Sequence, residues 1–163
     1  MRQLRIARGR LTRAIGDAYR ALAKEDCDAL FGVPDSPNTP RSILAALEYG
    51  TSAYGSIALG PIEQRPGTVT SATTAPTYTK VDIGDGATQL QVLGVKIVVE
   101  WSVGVFKSGS DVDRAAIIIH ELGHAFNQIL GLGGSQIKND NDSIPNHVRV
   151  SEANDALVKE KCF

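Results

Sequence analysis

Residues 115–127 read AAIIIHELGHAFN, and this stretch decides the fold. Its apolar side chains leave little polar face, so the pattern predicts a helix buried at the centre of the protein. Ser110 and Asp113 have the spacing of a capping box, which starts the helix at or just after Ser110. We expect the helix to continue through Leu130 and to end at Gly131.

An HExxH motif, His120-Glu121-Leu122-Gly123-His124, lies inside this helix. Histidines four residues apart lie about 40° apart around a helix axis, so both imidazoles can reach one tetrahedral metal ion. Glu121 lies about 100° further round, where it can hold a water molecule without binding the metal. Because zinc lowers the pKa of such a water and a carboxylate can take its proton, the motif indicates metal-assisted hydrolysis with Glu121 as general base.

The alternative is a structural role, in which two core histidines have satisfied hydrogen bonds and Glu121 points at a loop. Two of the three histidines of the chain belong to the motif. Burying them beside a carboxylate on the most apolar helix costs free energy unless these groups have partners. A metal site supplies such partners, and the sequence therefore favours it.

Residues 115–127 resemble the active-site helix of the zincin clan of metalloproteases. The resemblance implies an α+β fold, in which a twisted, mostly antiparallel sheet packs on the central HExxH helix beside N- and C-terminal helices. It also implies an antiparallel edge strand at the cleft, a zinc ion bound by His120 and His124, and a peptide or protein substrate.

The third metal ligand separates the groups of this clan, and the chain departs from each pattern. The metzincin extension has glycine and histidine where this chain has Asn127 and Leu130. The gluzincin pattern has a later glutamate, for which Glu152 is the candidate, with an aspartate four residues on. Ala156 occupies that position, and Asp155 comes one residue early. The Gly-Thr pair of the aspzincins is missing.

The tail of the chain, with its loop aspartates, resembles small uncharacterised bacterial HExxH domains. On this resemblance Asp140 is the expected third zinc ligand. Asp142, Glu152 and His147 remain alternatives, because carboxylates and imidazole all bind zinc. His147 is also a candidate donor to a developing oxyanion.

Two helices are expected in the first third of the chain. Residues 3–31 have apolar side chains at helical spacing, and Gly32 and Pro34 end this pattern. A second helix is expected at 40–49, with Thr39 as its N-cap and Gly50 after its end.

The middle of the chain predicts strands. Residues 51–106 are rich in Thr, Val, Ile, Gly and Tyr and carry little charge. Residues 84–86 read Gly-Asp-Gly, which favours a tight turn. Residues 92–106 form a long β-type stretch, punctuated by glycine.

The two cysteines suggest a link between the ends of the chain. A last helix is expected at 152–161, capped by Ser151 after a polar loop at 131–150. A Cys27–Cys162 disulfide would anchor this helix. Because such bonds persist in oxidising compartments, it would place the protein outside the cytoplasm or in the secreted fraction.

The length indicates one domain spanning residues 1–163, and the resemblance implies that this domain is zincin-like. There are 17 basic and 18 acidic residues, and 42% of the residues are apolar. The near-neutral charge argues against a nucleic-acid partner, and no apolar run approaches the ~18 residues of a membrane span. We expect a monomer.

The first 13 residues contain five arginines and lack the apolar region and cleavage site of a signal peptide. They are interpreted as the solvated start of a helix, a flexible arm, or a boundary region inside a longer protein.

Two functions remain open on the sequence. The first is a zinc-dependent peptidase or other amide hydrolase. The second is a non-catalytic, zincin-like metal-binding or interaction domain of a larger secreted bacterial protein. Glu121 favours the first, because a structural zinc site closes with a fourth protein ligand and needs no base.

Overall fold

The computed structural model describes residues 1–32, 38–50, 54–129 and 134–163, except for the side chains of residues 128 and 129. These residues form a mixed α+β fold. Its helices are α1 (Arg2–Ala21), α2 (Glu25–Asp28), α3 (Pro40–Tyr49), α4 (Gly104–Ser108), α5 (Asp111–His124) and α6 (His147–Cys162), and its strands are β1 (Gly55–Leu59), β2 (Ala72–Gly84) and β3 (Ala87–Val99).

Helix α5 is the central helix that the sequence predicts. The Ser110 hydroxyl accepts a hydrogen bond from the Asp113 N–H, and the Asp113 carboxylate accepts one from the Ser110 N–H, so the capping box is confirmed. Every residue of α5 from Arg114 onward is buried. Helices α1 and α6 and strand β2 pack against it. A π-helical turn (Ala125–Ile129) follows, and the predicted end at residues 130 and 131 lies outside the described residues.

The sheet has the order β1-β3-β2. Strand β3 pairs parallel with β1 and antiparallel with the longer β2, so the sheet is mixed, and the expectation of antiparallel pairing holds for one of its two pairs. Val95, Ile97 and Val99 alternate along β3 and are fully buried, because this face of the sheet covers the core.

The predicted β-type stretch at 92–106 is wrong in its second half, because β3 ends at Val99 and α4 begins at Gly104. The Glu100 carboxylate accepts hydrogen bonds from the Ser102 N–H and from the Ile62 N–H, both at 2.9 Å. Glu100 follows the last residue of β3, and these bonds hold the turn that leads out of the strand. Burial raises the pKa of Glu100, but the hydrogen bonds from Ser102 and Ile62 outweigh it and lower that pKa.

The first predicted helix is interrupted. Helix α1 ends at Ala21, α2 follows, and a 3₁₀ turn (Ala29–Phe31) completes the segment predicted as one helix over 3–31. This change of direction lets Leu22, Cys27 and Phe31 all reach the core. The arginine-rich start of the chain belongs to α1, so residues 2–13 are helical. Pro34 lies outside the described residues.

Helix α3 has the predicted bounds. Thr39 accepts a hydrogen bond from the Ser42 N–H at 3.2 Å, and Gly50 takes a left-handed conformation with φ of 68°. Helix α6 begins at His147, five residues before the predicted start at 152. Ser151 is therefore inside the helix, and the chain enters it through Asn146, which has a φ of 63°.

The Cys27–Cys162 disulfide is confirmed, with a Cα–Cα distance of 4.6 Å. It joins α2 to the last residue of α6, and both cysteines are fully buried. A disulfide is typical of an oxidising environment. Among the described residues, no helix combines the length and the apolar character needed to cross a membrane.

Candidate metal centre

Two histidines of α5 form the base of the site. His120 and His124 are one helical turn apart, so their side chains lie on the same face. Their Nε2 atoms are 2.9 Å apart, and both residues are buried. Two unprotonated nitrogens at this distance would repel each other, so the arrangement requires a proton or a cation between them.

Asp140 completes the cluster. It lies in the irregular segment at 134–146, and its Oδ2 is 2.9 Å from the His120 Nε2, while its Oδ1 is 2.8 Å from the His124 Nε2. One ligand atom from each of the three residues lies within 4.8 Å of the others. Two imidazoles and a carboxylate in this arrangement can hold a metal ion.

The glycine of the HExxH motif determines where this segment crosses α5. A Cβ placed on Gly123 would overlap the side chain of Ile137 and would lie 3.0 Å from the Ser135 Oγ. Ile137 is buried against the helix at this point. Gly123 therefore allows the chain to pass close enough for Asp140 to reach the histidines.

Two asparagines hold the segment through hydrogen bonds to its backbone. Asn127 donates to the carbonyls of Ser135 and Ile137 at 3.0 and 2.7 Å and accepts from the Ser135 N–H at 2.8 Å. Asn154, on α6, accepts from the Lys138 N–H at 3.0 Å and donates to the Lys138 carbonyl at 2.8 Å. These bonds pair backbone N–H and C=O groups of an irregular segment, where no helix or strand partner is present to pair them.

Asp155 orients one of the histidines. Its Oδ1 is 2.6 Å from the His120 Nδ1, and the carboxylate can only accept, so Nδ1 carries the proton. The sequence alone did not indicate this role, since Asp155 was noted only as lying one residue before the aspartate position of the gluzincin pattern. The available signal was its neighbour Asn154, a polar residue on the same helical stripe as Val158 and Cys162, all three of which are buried.

The charges of the cluster are strongly coupled. Burial lowers the pKa of His120, but hydrogen bonds to Asp140 and Asp155 outweigh it and raise that pKa to about 10. Burial raises the pKa of Asp140, but the bonds to His120 and His124 hold it far below its usual range. Asp140 is therefore an anion at neutral pH, as a carboxylate that binds a cation must be.

Glu121 follows His120 in α5, close enough for its charge to raise the pKa of His120, and it is not one of the three clustered side chains. Its carboxylate is buried, and its Oε2 accepts a hydrogen bond from the Thr74 hydroxyl at 2.5 Å. The same hydroxyl is 3.2 Å from the Glu121 carbonyl oxygen. Strand β2 therefore fixes the position of this carboxylate at the edge of the sheet.

The alternative ligands named from the sequence lie elsewhere. Asp142 forms an ion pair with Arg65 at 2.5 Å. Glu152 is exposed on α6, and His147 is the partly exposed first residue of that helix. Among the described His, Cys, Asp and Glu side chains, the group that could hold a metal ion contains His120, His124 and Asp140 and none of these three.

The chain matches no protein-family model, no curated protein and no solved structure.

Proposed function

We propose that this protein is a zinc-dependent hydrolase that cleaves peptides or other amides. The observation that carries this proposal is the convergence of His120, His124 and Asp140 on one point beside the buried carboxylate of Glu121. The disulfide supports action outside the cytoplasm, where a secreted hydrolase would meet peptide or protein substrates.

The donor set fits zinc. Asp155 accepts the Nδ1 proton of His120, which leaves the Nε2 of that ring able to present a lone pair to a cation. Nitrogen and carboxylate oxygen are zinc ligands, and catalytic zinc sites have three protein ligands with one open position. His120, His124 and Asp140 would hold the ion.

A zinc ion in this site would lower the pKa of a water molecule and polarise the carbonyl group of the substrate. Glu121 would accept a proton from that water and return it to the leaving amine. Thr74 donates to the Glu121 Oε2 and fixes the carboxylate, so we assign the proton transfer to Oε1.

One observation favours the non-catalytic alternative, a metal-binding or interaction domain. The histidine side chains are only 5% and 9% exposed, and that of Asp140 is 15% exposed, so a substrate has restricted access. A site that binds metal without turnover would have the same burial. The two functions differ in what they require of Glu121.

The test compares wild-type protein with Glu121→Gln, which keeps the shape of the side chain and removes the proton acceptor. Zinc affinity should be unchanged, whereas hydrolysis of a broad peptide library should fall by ~10²–10⁴. Glu152→Gln, at an exposed position of α6, is the matched control and should remain fully active.

Equal activity in wild-type protein and Glu121→Gln would rule out the proposed mechanism. Wild-type protein that binds zinc and cleaves no peptide or amide would favour the non-catalytic domain.

A further inference from the structure

Asn154 is the most deeply buried polar side chain of α6, with an exposure of 2%. Its amide faces the segment that carries Asp140. It makes two hydrogen bonds to the backbone of Lys138, and its Nδ2 also lies 3.4 Å from the Asp140 Oδ2. The Asn154 amide oxygen therefore accepts one hydrogen bond, and both hydrogens of its Nδ2 have acceptors, so every polar atom of this buried amide has a partner.

The orientation of this amide is fixed. A backbone N–H can only donate, so the Lys138 N–H must face the Asn154 Oδ1. The two hydrogens of Nδ2 then point to the Lys138 carbonyl and to the Asp140 carboxylate. The reversed amide would place its oxygen against both of these acceptors and is therefore excluded.

We infer that Asn154 is the positioning residue for Asp140, the third ligand of the proposed metal centre. It holds the backbone two residues before Asp140 and directs the carboxylate of Asp140 towards the Nε2 atoms of His120 and His124. This inference rests on the proposed metal site. Beyond that site, Asn154 places the third ligand without itself binding the metal.

Asn127 provides the contrast that isolates this role. It makes three hydrogen bonds to the same segment, and these go to Ser135 and Ile137 rather than to Asp140. Loss of either asparagine therefore removes bonds to the segment backbone. Loss of Asn154 alone also removes the donor to Asp140.

The experiment measures Zn²⁺ affinity by competition with a chelator in Asn154→Ala, Asn127→Ala and wild-type protein. Removing a partner of a metal ligand typically weakens metal binding by about 10- to 100-fold, and we expect this loss for Asn154→Ala. Asn127→Ala should lose clearly less affinity than Asn154→Ala, because its bonds reach Ser135 and Ile137 and not the carboxylate of Asp140. Asn154→Ser is the milder variant if the alanine variant does not fold, and it should also weaken binding.

Two further readouts separate positioning from general stability. The visible absorption spectrum of the Co²⁺-loaded protein should change more in the Asn154 variants than in Asn127→Ala, because it reports the ligand geometry of the folded protein. In an Asp140→Ala background, Asn154→Ala should cause no further loss of Zn²⁺ affinity, because its partner is gone.

An Asn154→Ala variant with wild-type affinity and an unchanged Co²⁺ spectrum would overturn the inference and leave the proposed function intact. Equal losses in the two asparagine variants, or additive losses in the Asp140→Ala background, would also overturn it. Wild-type protein that binds no Zn²⁺ would overturn both the proposed function and the inference.

Discussion

The Asp155 Oδ1 lies 2.6 Å from the Nδ1 of His120 and links α6 to the central helix. This contact fixes the tautomer and the ring orientation of His120. Carboxylates that hold metal-binding histidines in this way also make the imidazole a stronger ligand. The C-terminal helix therefore contributes to the candidate site through Asn154 and Asp155, although it supplies none of the three clustered side chains.

Asp155→Ala should weaken Zn²⁺ binding by about 10- to 100-fold, because His120 loses the acceptor for its Nδ1 proton. The measurement is a chelator competition titration. Glu152→Ala, on the same helix at an exposed position, is the control and should bind as the wild type does. Identical affinities in the two variants would show that the contact with His120 has no part in metal binding.

Asp140→Ala should reduce Zn²⁺ affinity at least about tenfold, since one of three ligands is removed. Asp142→Ala is the matched control, because Asp142 is two residues away and pairs with Arg65. It should keep wild-type affinity in the same titration. A larger loss of affinity in Asp142→Ala than in Asp140→Ala would show that Asp140 is not the third ligand.

Gly123→Ala should displace the segment that carries Asp140. Alanine favours a helix by about 1 kcal/mol over glycine, but its Cβ would overlap Ile137, and such overpacking typically costs about 1–3 kcal/mol. We expect a lower free energy of unfolding in urea and weaker Zn²⁺ binding. A variant that is more stable than wild type, with full affinity, would show that the segment does not need this close approach.

Replacing both cysteines by serine should lower the free energy of unfolding by about 2–5 kcal/mol, because the disulfide closes almost the whole chain. Urea denaturation with the bond intact, and with it reduced, gives the comparison. Wild-type protein under reducing conditions should match the Cys27→Ser, Cys162→Ser variant. Two freely alkylated thiols in native protein, detected by mass spectrometry, would contradict the bond itself.

Local signals predicted much of what surrounds the site. The capping box of Ser110 and Asp113 and the N-cap Thr39 act within one helical turn, so the sequence alone contains them. The spacing of His120 and His124 is equally local. The disulfide was predicted because both cysteines end helical segments.

Features that depend on tertiary contacts were predicted poorly or missed. Helix α6 begins early because Asn146 takes a left-handed conformation, which the local pattern did not indicate. Asp155 and Asn154 act on residues 14 to 35 positions away, so no spacing rule identifies them. Asp140 was named from a resemblance, and its place beside the histidines depends on the path of an irregular segment.

The proposed function requires that His120, His124 and Asp140 bind one zinc ion. A crystal structure of protein loaded with Zn²⁺, with anomalous diffraction recorded at the zinc edge, tests it most directly. We expect one strong anomalous peak within about 2.0–2.2 Å of both Nε2 atoms and of an Asp140 carboxylate oxygen. A zinc-loaded crystal with no peak between these three side chains, or with its peak at another group of residues, would contradict it.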